Sequence, residues 1–289
     1  MGIGYARPET LDALLDLVAT DEGARIVAGG TDLMLAIRAG RTYPTLVNVS
    51  RILSLRELGV RDGALVVGAT VTVARLLRSA EVREHTPLLW QAADKFASPL
   101  VRSRATVGGN LCNASPAADL TLALVALDAE VEVASRAGRR ALPAEAFATG
   151  PGRTALAAGE VVTAVRIPLA EGRFHHFEKS GTRPALEISI AAVAVALSFD
   201  QDRVVRPRIA LGAVAPVPLR ARAAEAALEG RPLTDETIAA AARAAAAEAR
   251  PIDDVRATAV YRRRLVGAFV RRALVRARDE RTELDATGS

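Results

Sequence analysis

Two glycine pairs with small polar neighbours are the residues of this sequence whose types and spacing best suit ligand binding. The first lies in VAGGTDL, residues 27–33, and the second lies in TVGGN, residues 106–110. Because the first pair follows a predicted strand and precedes a predicted helix, its backbone N–H groups and the positive helix end can face an anion together. Glycine also lets backbone atoms approach phosphate oxygens directly. Two such loops lying against each other would suit a diphosphate.

Neither loop has the spacing of the common nucleotide-binding motifs. GxGxxG is absent from both, and no lysine follows the glycines as it does in triphosphate-binding loops. A single glycine pair after a strand usually forms no more than a tight turn, so the prediction depends on the second loop. The two loops together indicate a nucleotide cofactor of another kind.

The elements around the first loop are predicted from caps and periodicity. Thr10 can cap a helix, RIVAGG is typical of a short buried strand, and Thr31 or Asp32 can cap a second helix that stops at Gly40. TLVNVS is then another strand, which gives an α/β unit. Asp62-Gly63 between apolar runs predicts a tight hairpin, and we therefore expect a mixed sheet.

Farther along, helices are predicted over 85–97 and 116–127, followed by strands in AEVEVAS, EVVTAVRIP and RFHHFEKSG. A long hairpin turns at Asp200 to Asp202. The tail, rich in alanine and arginine, forms about three helices that Pro232 and Pro251 separate. We expect a domain boundary near Glu171-Gly172.

Composition limits the function classes. The 289 residues include one cysteine, Cys112, so this chain cannot supply the thiolates of an iron–sulfur cluster. The net charge of +5 comes from arginines interspersed with acids, and the only clusters are Arg262–Arg264 and Arg271–Arg278, which makes nucleic-acid binding unfavoured. The first twenty residues resemble no signal peptide, and no apolar run spans a membrane, so the expected location is cytoplasmic.

Four motifs in order carry a resemblance to a known family. AGGTDL, TVGGNLCNASPAAD, EVVTAVRIP and FEKSGTR resemble the FAD-binding medium subunits of the molybdenum hydroxylases, the xanthine dehydrogenase and carbon monoxide dehydrogenase group. The resemblance covers essentially the whole chain. It implies an α+β fold: a FAD-binding domain (1–171) of two small α/β subdomains divided near 55–60, and a C-terminal domain (172–289) with a three-stranded antiparallel sheet and helices.

The resemblance also implies noncovalent FAD binding by particular residues. The first loop would wrap the diphosphate, the second would complete it, Phe96 and Ala97 would lie near the adenosine end, and Asn113 would lie on the continuing loop. Asp119 would hydrogen-bond toward the polar half of the cofactor. Val162 would pack against the body of the cofactor, and Lys179 would lie near the flavin ring. The full set is Val27, Ala28, Gly29, Gly30, Thr31, Asp32, Leu33, Phe96, Ala97, Thr106, Gly108, Gly109, Asn110, Asn113, Asp119, Val162 and Lys179. No catalytic or metal-ligating residue is predicted on this chain.

Several of these residues have ordinary structural alternatives. Asp119 could merely cap the helix DLTLALVAL, Lys179 could be a solvated strand lysine, and Phe96 or Val162 could be core. Since Lys179 is one of only two lysines beside 36 arginines, a site that needs a compact charge is the competing hypothesis. Cys112 is expected to be an inert small residue and not a covalent flavin tether. His175 and His176, adjacent in a strand, would point to opposite faces.

The resemblance implies electron transfer within a complex. Electrons would come from a small iron–sulfur subunit carrying two [2Fe-2S] clusters, and substrate oxidation would occur on a large subunit with a molybdenum cofactor. A dimer of heterotrimers and a soluble terminal acceptor complete the expectation. The acceptor itself, NAD, oxygen or a quinone, stays open, because Ile188 stands where some relatives place an aromatic residue near the flavin. The alternatives are a self-contained FAD-dependent oxidase or reductase, and a noncatalytic nucleotide-binding adaptor whose arginine-rich tail docks a partner.

Overall fold

The chain is described from a computed structural model that covers residues 3–170, 172–181 and 188–287, with only the backbone of 284–287. These residues form two compact units. The first contains 3–86, 96–115 and 128–169, and the second contains 87–95, 116–127, 170, 172–181 and 188–287. Two short segments from the first half of the sequence therefore fold with the second half.

The helices and strands are numbered along the chain. The helices are α1 (Leu11–Thr20), α2 (Leu33–Arg38), α3 (Val73–Arg78), α4 (Ala80–His85), α5 (Pro87–Asp94), α6 (Pro99–Arg102), α7 (Val107–Asn113), α8 (Asp119–Ala126), α9 (Ala144–Phe147), α10 (Arg222–Leu228), α11 (Asp235–Glu248) and α12 (Ala259–Thr287). The strands are β1 (Gly4–Ala6), β2 (Ala24–Val27), β3 (Thr45–Asn48), β4 (Leu58–Arg61), β5 (Ala64–Gly68), β6 (Glu130–Ser135), β7 (Gly138–Pro143), β8 (Ala148–Gly150), β9 (Arg153–Thr154), β10 (Val161–Pro168), β11 (Phe174–Ser180), β12 (Ala191–Asp200), β13 (Arg203–Gly212) and β14 (Leu219–Arg220).

A three-stranded parallel sheet, in the order β1-β3-β2, begins the first unit. Helix α1 starts where its cap is predicted, because the Thr10 hydroxyl accepts a hydrogen bond from the Ala13 N–H at 3.2 Å. Its buried Leu14 and Leu15 pack against Val47 of β3. The predicted order of strand, glycine turn, helix and strand is confirmed, and the first glycine loop therefore lies at the carboxyl end of β2.

A second sheet of the first unit has the order β4-β5-β10-β6-β7, and all its pairs are antiparallel. Asp62 and Gly63 both have positive φ, 47° and 70°, which confirms the predicted tight hairpin. The prediction of a mixed sheet was wrong. Parallel and antiparallel pairs lie in separate sheets, because the chain leaves the first sheet after Asn48 and starts the second at Leu58.

The second unit is built on an antiparallel sheet in the order β11-β12-β13-β14, with three long strands and a two-residue fourth. Along β12, Val193 and Val195 pack into a core that includes Phe269 and Leu274 of α12. The alanines between those valines are equally buried, and helices α5 and α8 also pack on the sheet. A strand covered on both faces explains the uninterrupted apolar run in the sequence.

The tail forms three helices, α10 to α12, as predicted, with Pro232 and Pro251 between them. Phe269 and Leu274 are buried and Leu265 is partly buried in the core of their own unit. Within the described part of the chain, no helix is both long enough and apolar enough to cross a membrane.

Candidate functional site

The first glycine loop is pressed against the segment that leads into the second. A Cβ built on Gly29 would lie 1.9 Å from the carbonyl oxygen of Arg104, two residues before Thr106. Only glycine fits this contact, since the neighbour is backbone that cannot rotate away. Gly30 is needed for another reason, a left-handed φ of 75°. The structure thus brings the two loops together within the first unit, as the sequence predicted.

The backbone of the first loop offers unused hydrogen-bond donors. Among the described residues, the N–H groups of Gly29, Gly30 and Thr31 donate to no protein acceptor. Helix α2 begins immediately afterwards at Leu33, and its preceding residue Asp32 makes no side-chain cap. Consecutive free N–H groups beside the start of a helix are suited to an anionic ligand.

In the second glycine loop, the N–H groups of both glycines and of Asn110 donate to protein acceptors. Thr106 caps α7 by accepting a hydrogen bond from the Gly109 N–H at 3.1 Å, while the Gly108 N–H donates to Ala69 O at 2.8 Å. The Asn110 N–H donates to Thr106 O at 2.9 Å. A Cβ on Gly108 would lie 2.8 Å from the same Ala69 oxygen. Gly108 therefore serves close packing, and this loop presents the exposed Gly109 backbone and a capped helix start.

A cavity of about 290 Å³ adjoins both loops in the first unit. Ala28, Gly29 and Thr106 line it, together with Arg56, Arg75 and Arg104, and none of the described lining residues is acidic. The Arg56 guanidinium donates to Ser50 O and the Arg75 guanidinium to Arg56 O, which fixes where both side chains lie. Small-molecule pockets measure about 300–1000 Å³, so this one has room for part of a large ligand.

One side-chain contact joins the first loop to the end of α7. The Asn113 amide donates to the Asp32 carboxylate at 3.3 Å, and the Thr31 hydroxyl donates to the other carboxylate oxygen at 3.4 Å. Both contacts are exposed to solvent and long, so each contributes little to stability. They nevertheless bring Thr31, Asp32 and Asn113, all predicted site residues, to one place.

A buried ion pair in the second unit joins two of the predicted site residues. The Lys179 ammonium contacts Asp119 Oδ2 at 2.5 Å, and the two side chains are 12% and 8% exposed. The Ser189 hydroxyl donates to Asp119 Oδ1 at 2.9 Å. Burial raises the pKa of Asp119, and the Lys179 ammonium and the Ser189 hydroxyl oppose that rise.

This ion pair excludes the ordinary structural alternatives for its two members, a helix cap for Asp119 and a solvated lysine for Lys179. Asp119 is the first residue of α8 but does not cap it, since the N-cap is Ala118 and no side-chain cap bond is present. Lys179 is not a solvated strand lysine. Ser189 was missed by sequence reasoning because a serine near a strand start carries no signal of its partner seventy residues away.

The remaining predicted residues lie in the first unit. Phe96 is half-buried and Ala97 has a left-handed φ of 33°; both carbonyl oxygens accept from the Arg102 guanidinium, at 2.5 Å for Phe96 and 3.3 Å for Ala97. Val162 is 7% exposed on β10, beside an irregularity in its pairing with β6. The geometry fits both core and contact roles for Val162.

The adjacent histidines point to opposite faces of β11, as predicted. His176 Nε2 lies 3.3 Å from Glu178 Oε2, and Glu178 also pairs with Arg272 of α12. His175 has both ring nitrogens buried with no hydrogen-bond partner among the described residues. Burial, assisted by Arg173, lowers the pKa of His175 to about 4, and burial with Arg276 and other cations lowers the pKa of His176 to about 4. Both imidazoles are therefore neutral at pH 7.

Cys112 and Ile188 bear on two further questions raised by the sequence, the covalent tether and the covering of the flavin. Burial raises the pKa of the Cys112 thiol to about 11, so the thiolate needed for attack on a flavin is scarce at neutral pH. Ile188 is 63% exposed. Thr182 and Arg183 of the FEKSGTR motif lie outside the described residues.

Comparisons with known proteins cover both halves of the chain. A family described as the FAD binding domain in molybdopterin dehydrogenase matches residues 1–170, and one described as the CO dehydrogenase flavoprotein C-terminal domain matches residues 175–277. Together these matches span all four motifs of the sequence.

Individual relatives agree with the family matches. The nicotine 6-hydroxylase medium subunit of Paenarthrobacter nicotinovorans is 35% identical over 95% of this chain and 97% of its own. The xanthine dehydrogenase FAD-binding subunit of Escherichia coli O157:H7 is 30% identical over 93% and 94%. Among solved structures, a chain of the carbon monoxide dehydrogenase of Hydrogenophaga pseudoflava that lacks the Mo-pyranopterin moiety is 33% identical, with a TM-score of 0.91 over 95% of this chain and 96% of that one.

Proposed function

Because the chain belongs to the family of FAD-binding medium subunits of the molybdenum hydroxylases, we propose that it binds FAD and transfers electrons within such a complex. Electrons would enter from an iron–sulfur subunit and leave to a soluble terminal acceptor. Oxidation of the organic substrate would take place on another subunit. The self-contained oxidase would need a substrate site of its own, and no observation favours one.

The observation that carries the proposal is the first glycine loop beside its cavity. Three backbone N–H groups that have no acceptor within the described part of the chain, the start of α2 and three arginines supply the donors and positive charge that a diphosphate requires. Backbone donors cost no side-chain entropy to hold in place. The residues present therefore fit the diphosphate of FAD.

The chemistry that FAD supplies when bound is the exchange of one or two electrons. This chain's own residues bind and orient the cofactor. Lys179 carries a compact, buried positive charge held by Asp119, which suits a position where negative charge develops on reduction. The raised pKa of the Cys112 thiol leaves little thiolate for attack on a flavin, which is consistent with noncovalent binding.

We propose the same residue assignments that the sequence motifs imply. In the first unit the diphosphate would be bound by residues 27–33 with Thr106, Gly108, Gly109 and Asn110, with Phe96, Ala97, Asn113 and Val162 around them. Because the glycine N–H groups of the second loop already donate to protein acceptors, this loop would contribute mainly through its shape and the start of α7. Asp119 and Lys179 are assigned to the polar half and the flavin ring of the cofactor.

The partners follow from the cysteine count and the family. One cysteine cannot ligate two [2Fe-2S] clusters, so these belong to a small subunit, and the molybdenum cofactor belongs to a large one. A dimer of heterotrimers in the cytoplasm completes the proposal. We also propose a FAD-binding domain over 1–171, divided near 55–60, and a C-terminal domain over 172–289; the family matches that end at 170 and begin at 175 support this boundary.

The test is to identify and quantify the cofactor of the natively folded full chain. Heat-released cofactor is compared with FAD and FMN standards by chromatography, and apoprotein is titrated with FAD in the presence and absence of ADP. We expect near-stoichiometric FAD and competition by ADP, because the diphosphate is the anchored part. FMN would contradict the diphosphate assignment. No flavin, and no uptake of added FAD by folded protein, would overturn the proposed function.

A further inference from the structure

The Asp119 carboxylate has a different partner on each oxygen. Oδ2 contacts the Lys179 ammonium at 2.5 Å, and Oδ1 accepts from the Ser189 hydroxyl at 2.9 Å. We propose that Ser189 is a positioning residue: its hydroxyl orients the Asp119 carboxylate, and the oriented carboxylate holds the Lys179 ammonium in place for the cofactor. This inference rests on the proposed function, since it assigns a role in FAD binding.

Burial makes this orientation necessary. Ser189 is 1% exposed, and the side chains of Lys179 and Asp119 are 12% and 8% exposed. A buried ion pair is favourable only when further hydrogen bonds satisfy the remaining lone pairs, because water cannot do so. The Ser189 hydroxyl supplies such a bond to Oδ1. With Oδ1 occupied, Oδ2 is left for the ammonium.

The backbone next to Ser189 is held independently of the carboxylate. The N–H of Ile190 donates to Ser180 O at 2.7 Å, and Ile190 O accepts from Arg262 Nη1 at 2.6 Å. Arg262 is itself only 3% exposed and pairs with Asp254 at 2.6 Å. A hydroxyl fixed by this arrangement can impose its geometry on Asp119 and not merely follow it.

The Ile190–Ser180 bond also ties this segment to the strand that carries the lysine. Lys179 directly precedes Ser180 on β11, and Ser189 directly precedes Ile190. The Ile190–Ser180 hydrogen bond therefore joins the backbone segments that carry the Lys179 ammonium and the Ser189 hydroxyl, while the Asp119 carboxylate comes from α8. Removing the hydroxyl leaves Asp119 Oδ1 without this donor and the carboxylate free to rotate. FAD binding must then reorder the ammonium, and a cost equal to about one hydrogen bond corresponds to about fivefold weaker FAD binding.

The experiment is a double-mutant cycle in the full chain, with the FAD dissociation constant as the measured quantity. Ser189→Ala is compared with Asp119→Ala and with the double variant. The matched control is Ser198→Ala, which removes a hydroxyl of β12 that is not one of the three groups of the Asp119 network. If Ser189 acts through Asp119, Ser189→Ala weakens FAD binding about fivefold alone and has no further effect when Asp119 is already alanine. Ser198→Ala should leave the constant unchanged, and Ser189→Thr should restore it.

Additive effects of the two substitutions, or equal loss in Ser189→Ala and Ser189→Thr, would overturn the inference, because a general packing role predicts those results. An unchanged dissociation constant in Ser189→Ala would overturn it too. Thermal unfolding of each variant is measured first, and if Asp119→Ala does not fold, Lys179→Met serves as the second background. Failure of the wild-type chain to bind FAD would instead count against the proposed function.

Discussion

The glycine loops of the first unit and the Asp119 network of the second present charge-binding groups made from different atoms. In the first loop the donors are backbone N–H groups, fixed by where the chain runs against Arg104. In the network they are side chains, and each charge needs a buried partner. A backbone site is therefore sensitive to added volume, whereas a side-chain site is sensitive to charge and protonation.

The same distinction separates the two glycine loops from each other. The first glycine pair lies before α2 and the second lies in the first turn of α7. Among the described residues, the glycine N–H groups of the first loop have no protein acceptor, whereas both glycine N–H groups of the second loop have one. Thr106 is the cause in the second loop, since its hydroxyl and its carbonyl oxygen take the donors of Gly109 and Asn110. A glycine pair thus does not by itself specify an anion site.

The largest effect is expected from Gly29→Ala. The new Cβ would lie 1.9 Å from a backbone oxygen, so the loops must separate, and we expect a loss of more than about 3 kcal/mol in the free energy of unfolding, together with loss of FAD. Gly30→Ala is the matched control. Its Cβ would lie 3.2 Å from the flexible Met34 side chain, which can move away. The expected loss in the free energy of unfolding is therefore only the cost of the left-handed φ, about 1–2 kcal/mol. Chemical denaturation measures both, and equal effects would contradict the close-contact argument.

The second unit should lose stability in acid through its histidines. The pKa of His175 is about 4 in the folded chain against an ordinary 6.5, so the unfolded chain binds more protons between these values. Stability is then fully present above about pH 6.5 and falls as the pH drops toward 4, by up to about 3 kcal/mol for His175.

Denaturation of wild type and His175→Leu between pH 4 and 7.5 checks this expectation. Leucine fills the buried position without a titrating group, so the pH slope should flatten while stability at pH 7.5 changes little. The lowered pKa of His176 also reduces stability in acid, so the variant should keep part of the dependence of stability on pH. A slope identical to that of wild type would show that His175 is protonated without cost in the folded chain.

A smaller effect is expected in the second loop. The Cβ of Gly108→Ala would lie 2.8 Å from Ala69 O and 2.9 Å from Ala69 Cβ, which predicts a loss of about 2 kcal/mol. Gly109→Ala meets only the Thr106 hydroxyl, a side chain that can move, and should cost less. Comparing the midpoints of denaturation of the two variants tests whether packing, and not N–H donation, requires Gly108. A larger loss for Gly109→Ala would refute this.

The smallest effect concerns the helix cap. Thr106→Ala removes the acceptor of the Gly109 N–H and should lower the free energy of unfolding by about 1 kcal/mol, as for other N-caps. Thr106→Ser keeps the hydroxyl and should restore most of it. If FAD binding falls by far more than stability does, the hydroxyl contacts the cofactor directly, and the contrast between the two loops would need revision.

Much of the fold follows from local patterns in the sequence. Thr10, the Asp62-Gly63 turn and the prolines of the tail mark their elements because caps, hairpins and helix breaks depend on a few neighbouring residues. The mixed sheet was wrongly predicted, since local patterns identify strands but not which strands pair. Alternation predicted that His175 and His176 face apart, but not what surrounds them.

The sequence by itself determined the family, the two glycine loops and the absence of cluster-ligating cysteines, because these depend on residue identity and order. Only the tertiary structure decided which loop has glycine N–H groups available for a ligand. In the second loop, folding brings Ala69 O to the Gly108 N–H, and the Thr106 hydroxyl accepts from the Gly109 N–H. It also decided that Asp119 pairs with Lys179 and Ser189 and does not cap its helix. A buried carboxylate must find its partners in three dimensions, because burial removes the water that would otherwise satisfy it.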